Sequence, residues 1–325
     1  MPANPVIATV TRGGITESQH HGAYAITDAD GRVVASLGDI ETPVFPRSAI
    51  KAFQCVPVIE SGAADRFGLT AEEIALCCSS HNGEPEHVRV AASILAKCGC
   101  GEGDYECGSH WPSGSEAARD LVRKGETPRD IHNNCSGKHA GMLATARQLH
   151  ADPHGYVNPA HPVQQAVAKV LERYCDVDLS KAAVGIDGCS VPTWAMPLRN
   201  TAMGFARLAR PQDAVGARII AAARSHPFMI AGTKRFDTEI MQALPRLFIK
   251  VGAEGVYCGC IPHAGLGFAL KCEDGATRGA DVAIAAALLK LDVWTEDERK
   301  ALASRAHVTL SNWKKKLVGE VRAAV

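Results

Sequence analysis

The sequence predicts an α/β fold with one mixed sheet, built from N- and C-terminal strands, and a helical subdomain inserted between them. Three observations carry this. Strand signals fall near the start, at 6–11 and 23–37, and again near the end, at 255–261 and 266–272. The stretch between them is punctuated by helix caps and Gly/Pro breaks. It does not alternate strand with helix, which argues against a doubly wound parallel sheet. The expected division is a single domain over 1–325, with a sheet lobe at about 1–60 and 250–325 and a mainly helical lobe at about 61–249.

Within 23–37, Thr27-Asp28-Ala29-Asp30-Gly31 reads as a hairpin turn between 23–26 and 33–37. Pro46 precedes a helix from Arg47 to about Glu60, and Thr70-Ala71-Glu72-Glu73 is a capping box that opens another. That second helix delivers the polar loop Cys77-Cys78-Ser79-Ser80-His81-Asn82-Gly83. Helices follow at 85–97, 115–124, 136–150 and 162–174. A short buried strand at 182–186 ends in Asp187-Gly188-Cys189-Ser190-Val191-Pro192. Further helices are expected at 203–208, 211–225, 233–247, 280–291 and 295–306, the last strands being joined through Pro262-His263-Ala264-Gly265.

Lys plus Arg equals Asp plus Glu, at 35 each, so the chain carries no electrostatic footprint for nucleic acid or an anionic membrane. No apolar run reaches bilayer length, and the first residues lack a secretory pattern, so a cytoplasmic protein is expected. In that setting the twelve cysteines read as reduced thiols, some buried and some ligating. Cys98-Gly99-Cys100-Gly101 with Cys107 is a candidate metal site, although it lacks a CxxC pair.

The densest chemistry lies in Asn133-Asn134-Cys135-Ser136-Gly137-Lys138-His139-Ala140-Gly141. It places Cys135 at or just before a helix N-terminus, where backbone N–H groups and the helix dipole favour a thiolate. Lys138 and His139 follow within a turn, close enough to lower the thiol further or to share a ligand with it. Ser48-Ala49-Ile50-Lys51 is an S-x-x-K, whose spacing puts both side chains on one helix face. A desolvated lysine there can take the serine proton and make a nucleophile. Ser80-His81-Asn82 matches the S-x-N element that accompanies S-x-x-K in penicillin-binding proteins and β-lactamases, but K-T-G is missing. Taken singly, each element also fits a plain helix cap.

Together with Asp187-Gly188-Cys189, these motifs resemble the rhizobial-type L-asparaginase family, also called asparaginase II. The likeness runs from Arg12-Gly13-Gly14-Ile15-Thr16-Glu17-Ser18 to Glu273-Asp274-Gly275. It implies a serine β-lactamase/glutaminase-like fold, hydrolysis of L-asparagine to L-aspartate and ammonia, and a homodimer. It also implies Ser48 with Lys51 as one catalytic pair, and a zinc ion (Zn2+) held by Cys135, Lys138 and Cys189. Ser80 is the second serine. Its partner in the family is a lysine from the late strands, and the position matched to it here is His263. Arg47, His81, Asn134, His139 and Asp187 are the expected substrate contacts. His139 is the commoner ligand type beside Lys138, so the choice within that pair stays open. Three rival readings are a glutaminase or other serine amidohydrolase, a β-lactamase or transpeptidase, and a non-enzymatic zinc- or thiol-sensing protein.

Overall fold

The computed structural model describes residues 4–325. Strands β1 (Val6–Arg12), β2 (Ile15–Asp28) and β3 (Val33–Leu37) open the chain. Helices α1 (Lys51–Glu60), α2 (Ala63–Arg66), α3 (Ala71–Cys77), α4 (Pro85–Lys97), α5 (Ser115–Lys124), α6 (Ser136–Gln148) and α7 (Pro162–Cys175) follow. A two-stranded hairpin, β4 (Val184–Ile186) and β5 (Pro192–Trp194), leads to α8 (Leu198–Leu208), α9 (Ala214–Ser225), α10 (Pro227–Ile230) and α11 (Phe236–Ala243). The chain ends with β6 (Phe248–Gly252), β7 (Val256–Ile261), β8 (Leu266–Cys272), α12 (Thr277–Leu289), α13 (Glu296–Ala306), β9 (His307–Ser311) and β10 (Leu317–Ala323).

The main sheet joins the two ends of the chain, as expected, in the order β6-β7-β8-β2-β1-β10-β9, with β3 also on β2. Every ladder in it is antiparallel, so the mixed strand directions expected from the sequence are not found. Several neighbours, such as β1–β2 and β7–β8, are joined by tight turns, and a hairpin forces opposite directions. The long strand β2 is the pivot, pairing with β1 through its first half and with β3 and β8 through its second. Helix α8 packs on β2, β7 and β8, and an added Cβ at Gly267 would lie 2.1 Å from the Ala202 carbonyl oxygen. On β1 and β10, Ala8, Val10 and Val321 bury against Val282 of α12.

Helix α6 organises the remainder. Residues 136 to 146 are all buried, so the helix has no solvent face to make it amphipathic. Small residues allow this. A Cβ at Gly137 would come 2.4 Å from the Leu76 carbonyl oxygen, and one at Gly141 would come 2.8 Å from Cys77 Sγ. Helices α1, α3, α4 and α7 pack around it. The capping box of Thr70 and Glu73 is present at α3, which fixes where the 78–84 loop leaves that helix.

The helix expected over 233–247 is shorter, α11 ending at Ala243, and β6, which directly follows that stretch, has no counterpart in the sequence reading, a lysine sitting within its apolar run. Strands β9 and β10 have mostly exposed or half-exposed residues, so apolar alternation gives little sign of them. No helix is long and apolar enough to cross a membrane among the described residues.

Gly137→Ala should lower unfolding stability by about 3 kcal/mol, because the added methyl meets backbone rather than a movable side chain. Gly101→Ala, where the space is open, is the control and should shift it by no more than about 0.5 kcal/mol. Urea unfolding of both variants tests this, and equal midpoints would contradict the close α3–α6 packing.

Candidate active site

Three segments meet around Lys51, beside a cavity of about 190 Å³ lined by Arg47, Ser48, Asn134, Cys135, Asp187 and Cys189, among others. The first is the 3₁₀ turn Arg47–Ile50, which runs directly into α1 and sets Ser48 one turn ahead of Lys51. The second is the loop after α3. It is anchored through Ser80 N–H to the Ile230 carbonyl (2.9 Å) and His81 N–H to the Asn134 carbonyl (3.0 Å). The third is the 133–135 loop. There the Asn133 amide holds the Gly108 carbonyl (2.7 Å) and accepts the Cys135 N–H (2.8 Å), so that Cys135 becomes the N-cap of α6.

Lys51 joins all three segments. It is 1% exposed, and its ammonium donates to Ser80 Oγ (2.9 Å), to Cys135 Sγ (3.0 Å) and to the Ser79 carbonyl. Helix-face spacing suggests the Ser48 hydroxyl as its partner, but the structure gives Lys51 to Ser80. Ser48 lies on the cavity wall with no side-chain hydrogen bond among the described residues. The cause is burial: a charge this deep needs several acceptors, and the 78–84 loop offers a hydroxyl and a carbonyl together.

Lys138, 2% exposed, donates to Cys189 Sγ at 2.9 Å. Cys189 in turn hydrogen-bonds Cys135. This bond, followed by the Lys51 and Lys138 charges, holds the Cys135 thiol well below its ordinary range despite burial. Its partner Cys189 is pushed up for the complementary reason, so the two sulfurs share one proton. Burial opposes the Lys138 charge, but the two sulfurs outweigh it and raise its pKa. Two sulfurs and one amine thus form an S₂N donor set of the kind zinc accepts in a tetrahedral site. His139 does not reach it. Its Nδ1 pairs with the Tyr156 hydroxyl at 2.7 Å, and its Nε2 is buried without a partner among the described residues.

At the rim, Asp187 binds the Arg47 guanidinium at 2.7 Å, and burial there is outweighed by Arg47 and Lys138, which keep its carboxyl below the usual range. Arg47 and Ser190 both adopt left-handed backbone, φ +52° and +73°, a costly conformation for residues other than glycine. His81 lies behind the wall, accepting from Gly83 N–H and therefore directing its other ring nitrogen at Ser136 Oγ (3.0 Å).

His263 is placed elsewhere. It is exposed in the turn between β7 and β8, with its Nε2 at the Val293 carbonyl (3.2 Å) and its ring against Trp294, so it does not partner Ser80. The buried lysine of the late strands is Lys250, on β6, fully buried and bonded to the Val251 carbonyl at 2.7 Å. Its signal in the sequence is a lysine inside Phe248-Ile249-Lys250-Val251, an apolar strand where a charge has no structural excuse. His110 was also missed. It lines the cavity and its Nε2 accepts the Asn134 N–H at 3.0 Å.

The sulfurs of Cys98, Cys100 and Cys107 do not form a three-ligand metal cluster. The group of His, Cys, Asp or Glu that does come within reach of one ion, among the described residues, is His20, Cys272 and Asp274, with ligand atoms within 4.8 Å of one another. Both ring nitrogens of His20 are already engaged there, with Arg278 Nε at 3.1 Å and Asp274 at 2.6 Å.

The sequence matches the family described as L-asparaginase II over residues 8–323. No curated protein matches it. Among solved structures, Mglu in its native form is 13% identical, with 90% of this chain and 70% of that one covered and a TM-score of 0.45. Mglu in 4.3 M NaCl is 12% identical, with 85% and 62% covered and a TM-score of 0.37. A β-lactamase from Mycobacterium bovis is 13% identical, with 87% and 94% covered and a TM-score of 0.32. Likenesses this distant carry no argument about mechanism.

Burial lowers Lys250 from its ordinary 10.5 to about 7, although Asp237 pulls the other way. The unfolded chain therefore binds more protons than the folded one between those values, and stability should rise with pH across that window. Lys250→Met removes this gain. Between pH 7 and pH 10 the wild type should gain roughly 3–4 kcal/mol on the variant in urea unfolding. Parallel pH dependences would show that Lys250 is charged in the fold.

Proposed function

The chain belongs to the L-asparaginase II family, and we propose that it hydrolyses the side-chain amide of L-asparagine to L-aspartate and ammonia, acting as one hydrolase domain. The observation that carries this reading is a buried lysine one turn from a free serine hydroxyl on a small polar cavity. Ser48 is the nucleophile. The Lys51 ammonium first gives up a proton; the Ser48 hydroxyl then attacks the amide carbonyl as its own proton passes to the Lys51 amine, and Lys51 returns a proton to the departing ammonia. Water then attacks the aspartyl ester with Lys51 again accepting the proton, which frees L-aspartate and restores Ser48. Ser80 positions the Lys51 amine.

The Arg47–Asp187 pair at the rim supplies one charge for each end of an amino acid: Asp187 for the α-ammonium and Arg47 for the α-carboxylate. Asn134 stands on the same wall, while His81 and His139 act through the residues they hold. Cys135, Cys189 and Lys138 would hold zinc, which when bound would supply Lewis-acid chemistry to the site. Lys138 must lose its proton to bind the metal, so zinc affinity should fall as the solution becomes acidic. The free state of all twelve cysteines supports a reducing, cytoplasmic setting. The family resemblance supports a homodimer.

Ser48→Ala should lower kcat for asparagine by more than about 1,000-fold, and Ser80→Ala by about 10- to 100-fold, with both proteins folded. Ammonia release measures both, and the reverse order would make Ser80 the nucleophile. In the Cys135→Ala/Cys189→Ala double variant, zinc by elemental analysis should fall from about one equivalent to below a tenth of one. Full zinc content in that variant would remove the metal from this site. Asparagine and glutamine should be assayed together, because one methylene is worth only about 1–3 kcal/mol in a pocket.

A further inference from the structure

Eleven of the twelve cysteines are buried, and Cys100 is the one that is half-exposed. It follows α4, whose C-cap is Cys98, and the two thiols are separated only by Gly99. Gly99 has a left-handed φ of +67° with open space around its Cα, so the chain bends there without strain. The bend leaves the Cys100 sulfur 4.0 Å from the Cys98 carbonyl, on the residue that carries the second thiol. Residues two apart in a bent chain also meet the Cα separation that a disulfide needs, about 4.4–6.8 Å.

Arg147, near the end of α6, points its Nε at Cys100 Sγ (3.4 Å) and its Nη2 at the Gly99 carbonyl (3.3 Å). Cys98, Gly99, Arg147, Arg66 and His150 line a surface hollow of about 530 Å³, which opens this bend to small solutes, and Cys100 itself is half-exposed. The hydrogen bond from Cys98, joined by Arg147 and opposed by partial burial and by Asp104, lowers the Cys100 thiol to about 6. The proposed zinc site uses none of these groups.

We propose that Cys98 and Cys100 form a hydroperoxide-reactive dithiol, with Cys100 as attacking sulfur, Cys98 as resolving sulfur and Arg147 as positioning residue. The Cys100 thiolate attacks one oxygen of the peroxide and the O–O bond breaks. Cys100 becomes a sulfenic acid and hydroxide leaves. The Cys98 sulfur then attacks Cys100, giving up its proton and expelling water, and the S–S bond closes. Two electrons pass from the thiols to the peroxide, and a dithiol reductant restores them by exchange. Oxidation also removes the negative sulfur that Arg147 holds, which loosens a tie between α4 and the last turn of α6.

The experiment exposes the full-length, zinc-loaded protein to limiting hydrogen peroxide at pH 7, caps the remaining thiols and maps every cysteine by mass spectrometry. The expected result is a loss of about 2 Da linking Cys98 to Cys100 before any other cysteine reacts. In Cys98→Ser, a sulfenic acid should accumulate on Cys100 and be trapped by dimedone. Arg147→Gln should slow the reaction about tenfold, and Arg147→Lys should restore most of it. Earlier oxidation of Cys135 or Cys189, or an unchanged rate in Arg147→Gln, would overturn the proposal.

Discussion

The buried ammonium of Lys51 is the constraint on which the site depends. At 1% exposure it has no water to solvate it, and an uncompensated charge so placed costs several kcal/mol. Its three hydrogens go to Ser79, Ser80 and Cys135, which belong to two different loops, while the lysine itself opens α1. Satisfying one side chain therefore draws three distant stretches of sequence to a point. The same contacts place the Ser80 hydroxyl and the Cys135 sulfur beside the amine, so stability of the charge and geometry of the site have one origin.

Helix α6 makes that convergence possible. A helix buried on every side must be lined with small residues where its neighbours cross, and Gly137 and Gly141 meet α3 in this way. Close approach of α3 and α6 brings the loop after one to the N-terminus of the other. The main sheet contributes from a third direction. Its strand β6 carries Lys250 into the same charged region, where Lys51, Arg235 and Asp237 all bear on it. A site with this many cations tolerates them because the Cys135 thiol is held well below its ordinary range, and the Arg47–Asp187 pair balances its own charges at the rim.

Much of this was legible in the sequence. The cap signals of Thr70, the Asn133–Gly141 run and the strands ending at Ile261 and Cys272 are local features, set by residues a few positions apart. The convergence of Cys135, Lys138 and Cys189 was carried by family resemblance rather than by spacing. What failed was long-range. The spacing of Ser48 and Lys51 correctly puts them on neighbouring turns, but it is blind to a loop that arrives 29 residues later and takes the amine. His263 matches the expected position by its neighbourhood in sequence, whereas the buried Lys250 lies on β6, a strand the pattern leaves unassigned between a helix ending at 247 and a strand starting at 255. A lysine between Phe248, Ile249 and Val251 lowers apolar periodicity, and the same anomaly is what sets it apart in the sequence.

The central claim is that Ser48 carries the acyl group while Lys51, held by Ser80, moves the proton. Acid quenching during turnover of L-asparagine, followed by peptide mass spectrometry, tests this most directly. An aspartyl ester on the short peptide carrying Ser48, absent from Lys51→Met, is the predicted result. An ester on Ser80 instead, or rapid ammonia release with no ester on either serine, would contradict it.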